Sequence, residues 1–228
     1  MTNNTHTLNE VVVTTDWLAQ HSADSNLRVF DCTTHLIHQS NPESDAPYVV
    51  QSGKDDYDKA HIPGAAFIDL QQDLSDTTSP YRFTCLQANE LAEKFGALGI
   101  GDNTTAVLYS QTTPQWATRI WWLLRTVGFD RACVLDGGLT RWQTDGRAVS
   151  SETTTHPPAL LTTQPRNGLL VDKATVLSAI DDDSTCTINA LRAVQHAGLD
   201  NREFGHYGRP GRIPRSVNVP TNELVDPT

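Results

Sequence analysis

The residues best suited to chemistry gather late in the chain. Between positions 192 and 215 stand Arg192, Arg202, Arg209, Arg212 and Arg215 with His196 and His206, against only Asp200 and Glu203. A guanidinium fork matches carboxylate and oxyanion geometry, so such a cluster can receive a small anion. The plainer alternative is a solvated basic loop. Thiols are the second resource. Cys32, Cys85, Cys133 and Cys186 lie about 50 residues apart with no Cys-x-x-Cys pair. Zinc ligands usually come as close pairs, and disulfide frameworks belong to small secreted chains, so the spacing argues against both. Cys133 sits in the apolar run 132–135 and suits a small buried hydrophobe. Cys85 precedes a helix, whose N-terminus would lower a thiol's pKa. No anion-cradling loop follows it, so a structural role is expected there as well.

Strands alternating with helices must position these groups. Thr14 or Thr15 caps a first helix, Arg28 to Asp31 forms a short strand, and the polar stretch from there to Lys59 is expected as loop. Thr84-Cys85-Leu86-Gln87 has the spacing of a capping box, with Thr84 as N-cap, before a helix through Leu91 and Phe95 that Gly99 ends. Thr105 to Tyr109 is apolar throughout, as a strand buried on both faces requires. A loop from Ser110 leads to a helix starting at Trp116, and Ala132 to Leu135 is the next strand. This alternation implies an α/β fold, a parallel sheet with helices on both faces. Residues 148–168 shift to Thr, Ser and Pro and are expected to be a linker.

Beyond residue 168 the pattern begins again. Asp172 caps a helix, Cys186 to Leu191 is expected as a strand, and His61-Ile62-Pro63-Gly64-Ala65 returns as Arg212-Ile213-Pro214-Arg215-Ser216. The offset is 158 at the strand and 151 at the Ile-Pro segment, so the second copy has a loop about seven residues shorter. Arg215 replaces Gly64 at a turn where φ > 0 is often needed, a conformation arginine resists. The chain therefore divides into a complete module (1–147), a linker (148–168) and the beginning of a second module (169–228).

A net charge of −10 argues against nucleic acid as a partner. No apolar run is long enough to span a membrane, and the polar start, Met1 to Glu10, lacks signal-peptide character, so a soluble cytoplasmic protein is expected.

The ordered motifs resemble the tandem-domain rhodanese family, the thiosulfate and 3-mercaptopyruvate sulfurtransferases. They are His61-Ile62-Pro63-Gly64-Ala65, Ser75-Asp76 through Ser79-Pro80-Tyr81, Trp121-Trp122, Leu135-Asp136-Gly137-Gly138 with Trp142, and Gly208-Arg209-Pro210-Gly211-Arg212-Ile213-Pro214. The resemblance implies transfer of sulfur from a small anionic donor to a thiol or cyanide through a cysteine persulfide, with no cofactor and no metal. The resemblance places the family's cysteine first in a loop between strand and helix; here that place holds Ser110, which cannot store sulfur, and none of the four cysteines matches it. The resemblance further implies that Arg192 binds anionic substrate, with Arg209, Arg212 and His61 as additional candidates. Activity of these 228 residues by themselves is doubtful on this account. The alternative is a non-catalytic rhodanese-like binding or regulatory module. A phosphatase, which the fold family also contains, would need a Cys-x5-Arg phosphate loop, and none is expected.

Overall fold

The computed structural model describes residues 10–38, 48–199 and 210–226. Its elements run β1 (Val12–Val13), α1 (Thr15–His21), β2 (Leu27–Asp31), β3 (Thr34–His38), β4 (Tyr48–Ser52), α2 (Lys54–Lys59) and β5 (Ala65–Phe67). They continue through α3 (Leu70–Asp73), α4 (Ala88–Ala97), β6 (Thr105–Tyr109), α5 (Gln115–Thr126), β7 (Ala132–Leu135) and α6 (Gly138–Thr144). After these come α7 (Lys173–Ala179), β8 (Ile188–Asn189), α8 (Ala193–His196), β9 (Val217–Asn218) and a 3-10 turn at Thr221–Glu223. Of the described residues, 10–35 and 50–167 form one unit; 36–38, 48–49, 168–199 and 210–226 belong to a second.

The first unit is built on a five-stranded sheet in the order β1-β7-β6-β2-β5, with every pair parallel. Alternate residues of each strand point to opposite faces, and both faces are buried. Phe30, Ala106, Leu108 and Val134 join the core under α4 and α5. Val29, Val107, Tyr109, Cys133 and Leu135 join the core containing Leu18 of α1 and Trp142 of α6. This is the α/β sheet the sequence implies. Thr14 caps α1 by accepting the Trp17 N–H at 3.2 Å. No helix among the described residues is long and apolar enough to cross a membrane.

Two local expectations are corrected. The stretch before Lys59 is not all loop, since β3 and β4 pair and α2 forms. Its composition is polar because only Tyr57 of α2 faces inward, where its hydroxyl donates to Ala65 O at 2.8 Å. Helix α4 begins three residues later than the Thr84 spacing suggests. Gln87 is its N-cap, with the Gln87 N–H donating to Glu90 Oε2 at 3.3 Å, while Thr84 Oγ1 donates to Tyr81 O.

The Thr/Pro-rich stretch after α6 has no helix, yet it does not hang free. Ser150 and His61 exchange backbone hydrogen bonds at 2.9 Å, and Ala159 N donates to Gly96 O and Gln164 N to Val127 O. Asp102 takes Thr162 N–H at 2.8 Å, Arg166 forks onto Asp130, and Leu161 is buried. The residues through Asn167 thus form a strap across the first unit. Turn-rich composition marks a segment without regular structure but not whether neighbours hold it.

The second unit repeats the first at hydrogen-bond resolution. β2 pairs with β5 through Phe30↔Ala66 and Asp31↔Phe67; β8 pairs with β9 through Ile188↔Val217 and Asn189↔Asn218. Ile68 N donates to Asp31 O, and Val219 N donates to Asn189 O. Asp172 caps α7 as Thr14 caps α1. Even the turn survives its substitution: Gly64 has φ +80° and Arg215 has φ +63°. Left-handed backbone at a non-glycine costs about 1–3 kcal/mol. The Arg215 guanidinium offsets part of that by donating to Ile180 O and pairing with Asp183. The strand expected over Cys186 to Leu191 is only two residues long, and Ile188 is 58% exposed where its counterpart Phe30 is fully buried.

The strap supplies a test whose sign separates packing from propensity. A Cβ on Gly96 would lie 2.6 Å from Ala159 O. By helix propensity Gly96→Ala should stabilise α4 by roughly 1 kcal/mol. Displacing the strap instead lowers stability by about 1–3 kcal/mol, read as a fall in the urea midpoint. A more stable variant would show that the strap is not held there.

Candidate functional site

The ends of β2 and β6 set the geometry in the first unit. The two strands are adjacent, and their outer neighbours, β5 and β7, lie on opposite sides. In open parallel sheets such a divergence point frames the crevice used for ligands. Asp31 ends β2 there, in register with Tyr109, and the Ser110 loop follows.

Asp31 is fully buried. Its Oδ1 accepts the Thr33 N–H at 2.9 Å and the Thr33 hydroxyl; its Oδ2 accepts the Gln111 side-chain amide at 2.7 Å. The same amide donates to Ala60 O at 3.0 Å, and Gln111 N–H donates to Thr33 Oγ1 at 2.9 Å. One side chain thus closes the loop over the strand end. Ser110 is nearly buried, its Oγ accepting Thr112 N–H at 3.4 Å. A Cβ on Gly138 would sit 2.3 Å from Ser110 O, so the Gly137-Gly138 turn must lack a side chain there. The loop therefore opens on a hydroxyl rather than a thiol.

In the second unit Asn189 stands where the first has Asp31. Its Oδ1 accepts Leu191 N–H at 2.9 Å, the counterpart of the Thr33 bond to Asp31. Asn218 Nδ2 donates to Asn189 O and Leu191 O, each at 2.8 Å, and fixes the turn. Arg192 follows as the N-cap of α8, its N–H donating to Gln195 Oε1 at 3.3 Å. Arg212 reaches the other end of α8, where its guanidinium donates to His196 O at 3.1 Å. Arg192 and Arg212 thus contact opposite ends of one short helix. Arg209 lies outside the described residues. His61 is elsewhere, fully buried in the first unit and stacked on Tyr57 at 3.9 Å between centroids. Its ring nitrogens face Tyr57 O at 2.6 Å and Glu152 O at 3.1 Å, which commits it to holding its own turn and the strap.

Sequence inspection passed over Gln111 and Asn218; it saw Asn189-Ala190-Leu191 in place of an acidic strand end but gave Asn189 no role. The register of the two strand pairs aligns Asn189 with Asp31. Inspection also overlooked one spacing: Cys186 and Arg192 do stand at Cys-x5-Arg. Strand β8 runs between them, so the backbone is extended and cannot curl its N–H groups around a phosphate. The phosphatase reading fails on geometry rather than on spacing.

Three of the four thiols are poorly placed as nucleophiles. Burial, and then the Asp31 charge, drives Cys32 well above its ordinary value; burial pushes Cys133 up to about 12. Cys85 is also raised by burial, against a smaller opposing effect of Arg119. Cys186 is exposed. Among the described residues no His, Cys, Asp and Glu side chains group to hold a metal.

Burial also pushes the Asp31 carboxyl above its ordinary 3.8, and hydrogen bonds from Thr33 and Gln111 pull it partly back. The folded chain then holds this proton at pH values where the unfolded chain has released it. Stability from this group is greatest below 3.8 and declines as pH rises through the folded value. Asp31→Asn cannot titrate, so its stability relative to the parent should improve from about pH 4 to about pH 7 in urea unfolding. A relative loss over that range would contradict the assignment.

Comparison with known proteins agrees with the architecture. Residues 14–145 match the model of the rhodanese-like domain. The 3-mercaptopyruvate sulfurtransferase of Escherichia coli (strain K12) is 30% identical over 211 residues, spanning 92% of this chain and 71% of that protein. The thiosulfate sulfurtransferase of Cricetulus griseus is 32% identical, over 93% of this chain and 70% of its own length. A crystal structure of a 3-mercaptopyruvate sulfotransferase from Escherichia coli superposes with a TM-score of 0.76 at 29% identity, covering 95% of this chain and 77% of that one. With a doubled strand-end architecture and relatives of both donor types, the chain belongs to the family of rhodanese-type sulfurtransferases.

Proposed function

We propose that this chain binds the anionic sulfur donor of a sulfurtransferase reaction, thiosulfate or 3-mercaptopyruvate, in the cytoplasm, and that none of its own four cysteines carries the sulfur. In the family reaction a thiolate attacks the outer sulfur of the donor, and the bond to the leaving group breaks. The persulfide formed then yields its sulfur to cyanide or a thiol. The step requires a nucleophile that is deprotonated near neutral pH. The observation that carries the proposal is Ser110 at the head of a loop closed by Gln111, together with the raised pKa values of Cys32, Cys85 and Cys133.

Donor binding is assigned to the end of β8, with Arg192 at the start of α8 as the main cation and Arg212, which reaches the far end of α8, as a second candidate; Arg209 is a further candidate. His61 is better suited to structure, given its burial. In domain terms, residues 1–147 form a non-catalytic rhodanese-like domain, the strap follows, and a second module starts near residue 169. No observation favours a purely regulatory module over sulfur transfer.

The purified 228-residue chain given thiosulfate and cyanide should make no thiocyanate above the background rate. Turnover that Cys85→Ser abolishes would overturn the cysteine assignment. Thiosulfate binding, measured by calorimetry, should weaken roughly tenfold or more in Arg192→Ala, as expected for loss of a charge-assisted hydrogen bond. Unchanged affinity would remove Arg192 from the site.

A further inference from the structure

Between α1, β2, the Ile62-Pro63 turn and the end of α6, the first unit holds a cavity of about 550 Å³. Small-molecule sites usually measure about 300–1,000 Å³. The lining is largely apolar: Leu18, Leu27, Val29, Ile62 and Trp142 contribute to it, and all five are buried. Gly64 and Gly146 line it too, both with left-handed backbone (φ +80° and +74°), and a Cβ on either would meet open space. The sulfur-transfer assignment makes no use of this cavity.

The repeat shows what the same place accommodates when position 64 carries a side chain. The turn after the first helix is alike in both units. Asp24 N donates to His21 O and Leu27 N to Asp24 O, as Asp182 N does to Ala179 O and Thr185 N to Asp182 O. Ser22 therefore corresponds to Ile180, and Ser25 to Asp183. Gly64 corresponds to Arg215, whose guanidinium reaches from the Ile-Pro turn to Ile180 O at 3.1 Å and pairs with Asp183. In the first unit glycine sends nothing across, and Ser25 replaces the carboxylate that steadies the crossing. The first unit leaves open a path that the second spans with its own residue.

The two charged residues of the lining decide which ligand suits it. Both Asp145 oxygens are engaged, Oδ2 by the Thr15 hydroxyl and Oδ1 by Arg141 Nε at 2.9 Å. Arg147 keeps donors to spare. Its guanidinium lies over Trp142, 5.2 Å from the ring centroid, and Nη2 pairs with the exposed Asp16. Its Nε is buried without a hydrogen-bond partner. An unmet buried donor costs free energy that a bound acceptor recovers. We propose that this cavity is a ligand site for a small organic acid with an aromatic or branched aliphatic body. The body rests on Leu18, Val29 and Ile62 beside Trp142, and the Arg147 guanidinium takes the carboxylate. A cation is disfavoured, since the Asp183 that holds one in the repeat has only Ser25 as its counterpart. The site stands or falls independently of the sulfur-transfer assignment.

Phenylacetate and isovalerate, each titrated into the 15N-labelled full chain, test the site by NMR. The expected result is saturable shifts at the indole N–H of Trp142, which donates to Ala148 O at 2.8 Å, and at the amides of Gly64 and Gly146. Phenylacetamide has the same body without the charge and should bind about tenfold more weakly than phenylacetate. Gly64→Arg installs the residue the repeat carries and should abolish the shifts. Arg147→Gln should weaken phenylacetate binding about tenfold or more, with a cooperative urea transition confirming that each variant is folded. Absence of saturable shifts with both acids, or shifts centred away from Trp142, overturns the site. Equal binding of acid and amide, or parent-like binding by Arg147→Gln, overturns the role of the guanidinium and with it the ligand class. Parent-like binding by folded Gly64→Arg overturns the location; should that variant fail to fold, Arg147→Gln and the amide decide the question by themselves.

Discussion

The buried carboxylate of Asp31 constrains the first unit more than any other group. A charge removed from water costs several kcal/mol unless donors meet it. Here the donors come from Thr33, two residues on, and from Gln111, 80 positions away. Satisfying them fixes the end of β2 and lays the Ser110 loop across it. The Gln111 bond to Ala60 O also secures the approach to the Ile62-Pro63 turn.

The repeat uses the same backbone device with different electrostatics. Strand register, the helix cap and the left-handed turn all recur, although Thr14 becomes Asp172 and Gly64 becomes Arg215. What is kept is the local bond from the acidic or amide side chain to the residue two places on. What changes is the sign of the second branch. Duplicated modules can diverge in this way without disturbing the fold, because the turn needs only one of the two side-chain atoms.

Much of this was legible in the sequence, for a physical reason. Continuous apolar runs such as 105–109 and 132–135 suit strands buried on both faces, and Thr14 or Thr15 and Asp172 announce their helices by cap chemistry. The Ile-Pro repeat gave the duplication, and both strand pairings share its register. Less was legible where the determinant lies in another element. The strap's docking is written at Gly96, Asp102, Val127 and Asp130 rather than in its own Thr and Pro. Helix α2 was hidden because one inward residue, Tyr57, makes no periodic signal. The Asp31–Gln111 contact joins positions that no local pattern connects. Among the candidate site residues, Arg192 and Arg212 both contact α8, at opposite ends, while His61 was placed by its motif and not by any local sign of the burial it has.

The account assigns different roles to two equivalent strand ends: one closed on itself, the other given to the sulfur donor. Mapping thiosulfate-induced shifts in amide NMR spectra of the 15N-labelled chain tests that division directly. The account predicts shifts at Asn189, Leu191 and Arg192, with Ser110, Gln111 and Thr112 unmoved. Shifts centred on the Ser110 loop, with Asn189 and Arg192 silent, would contradict it.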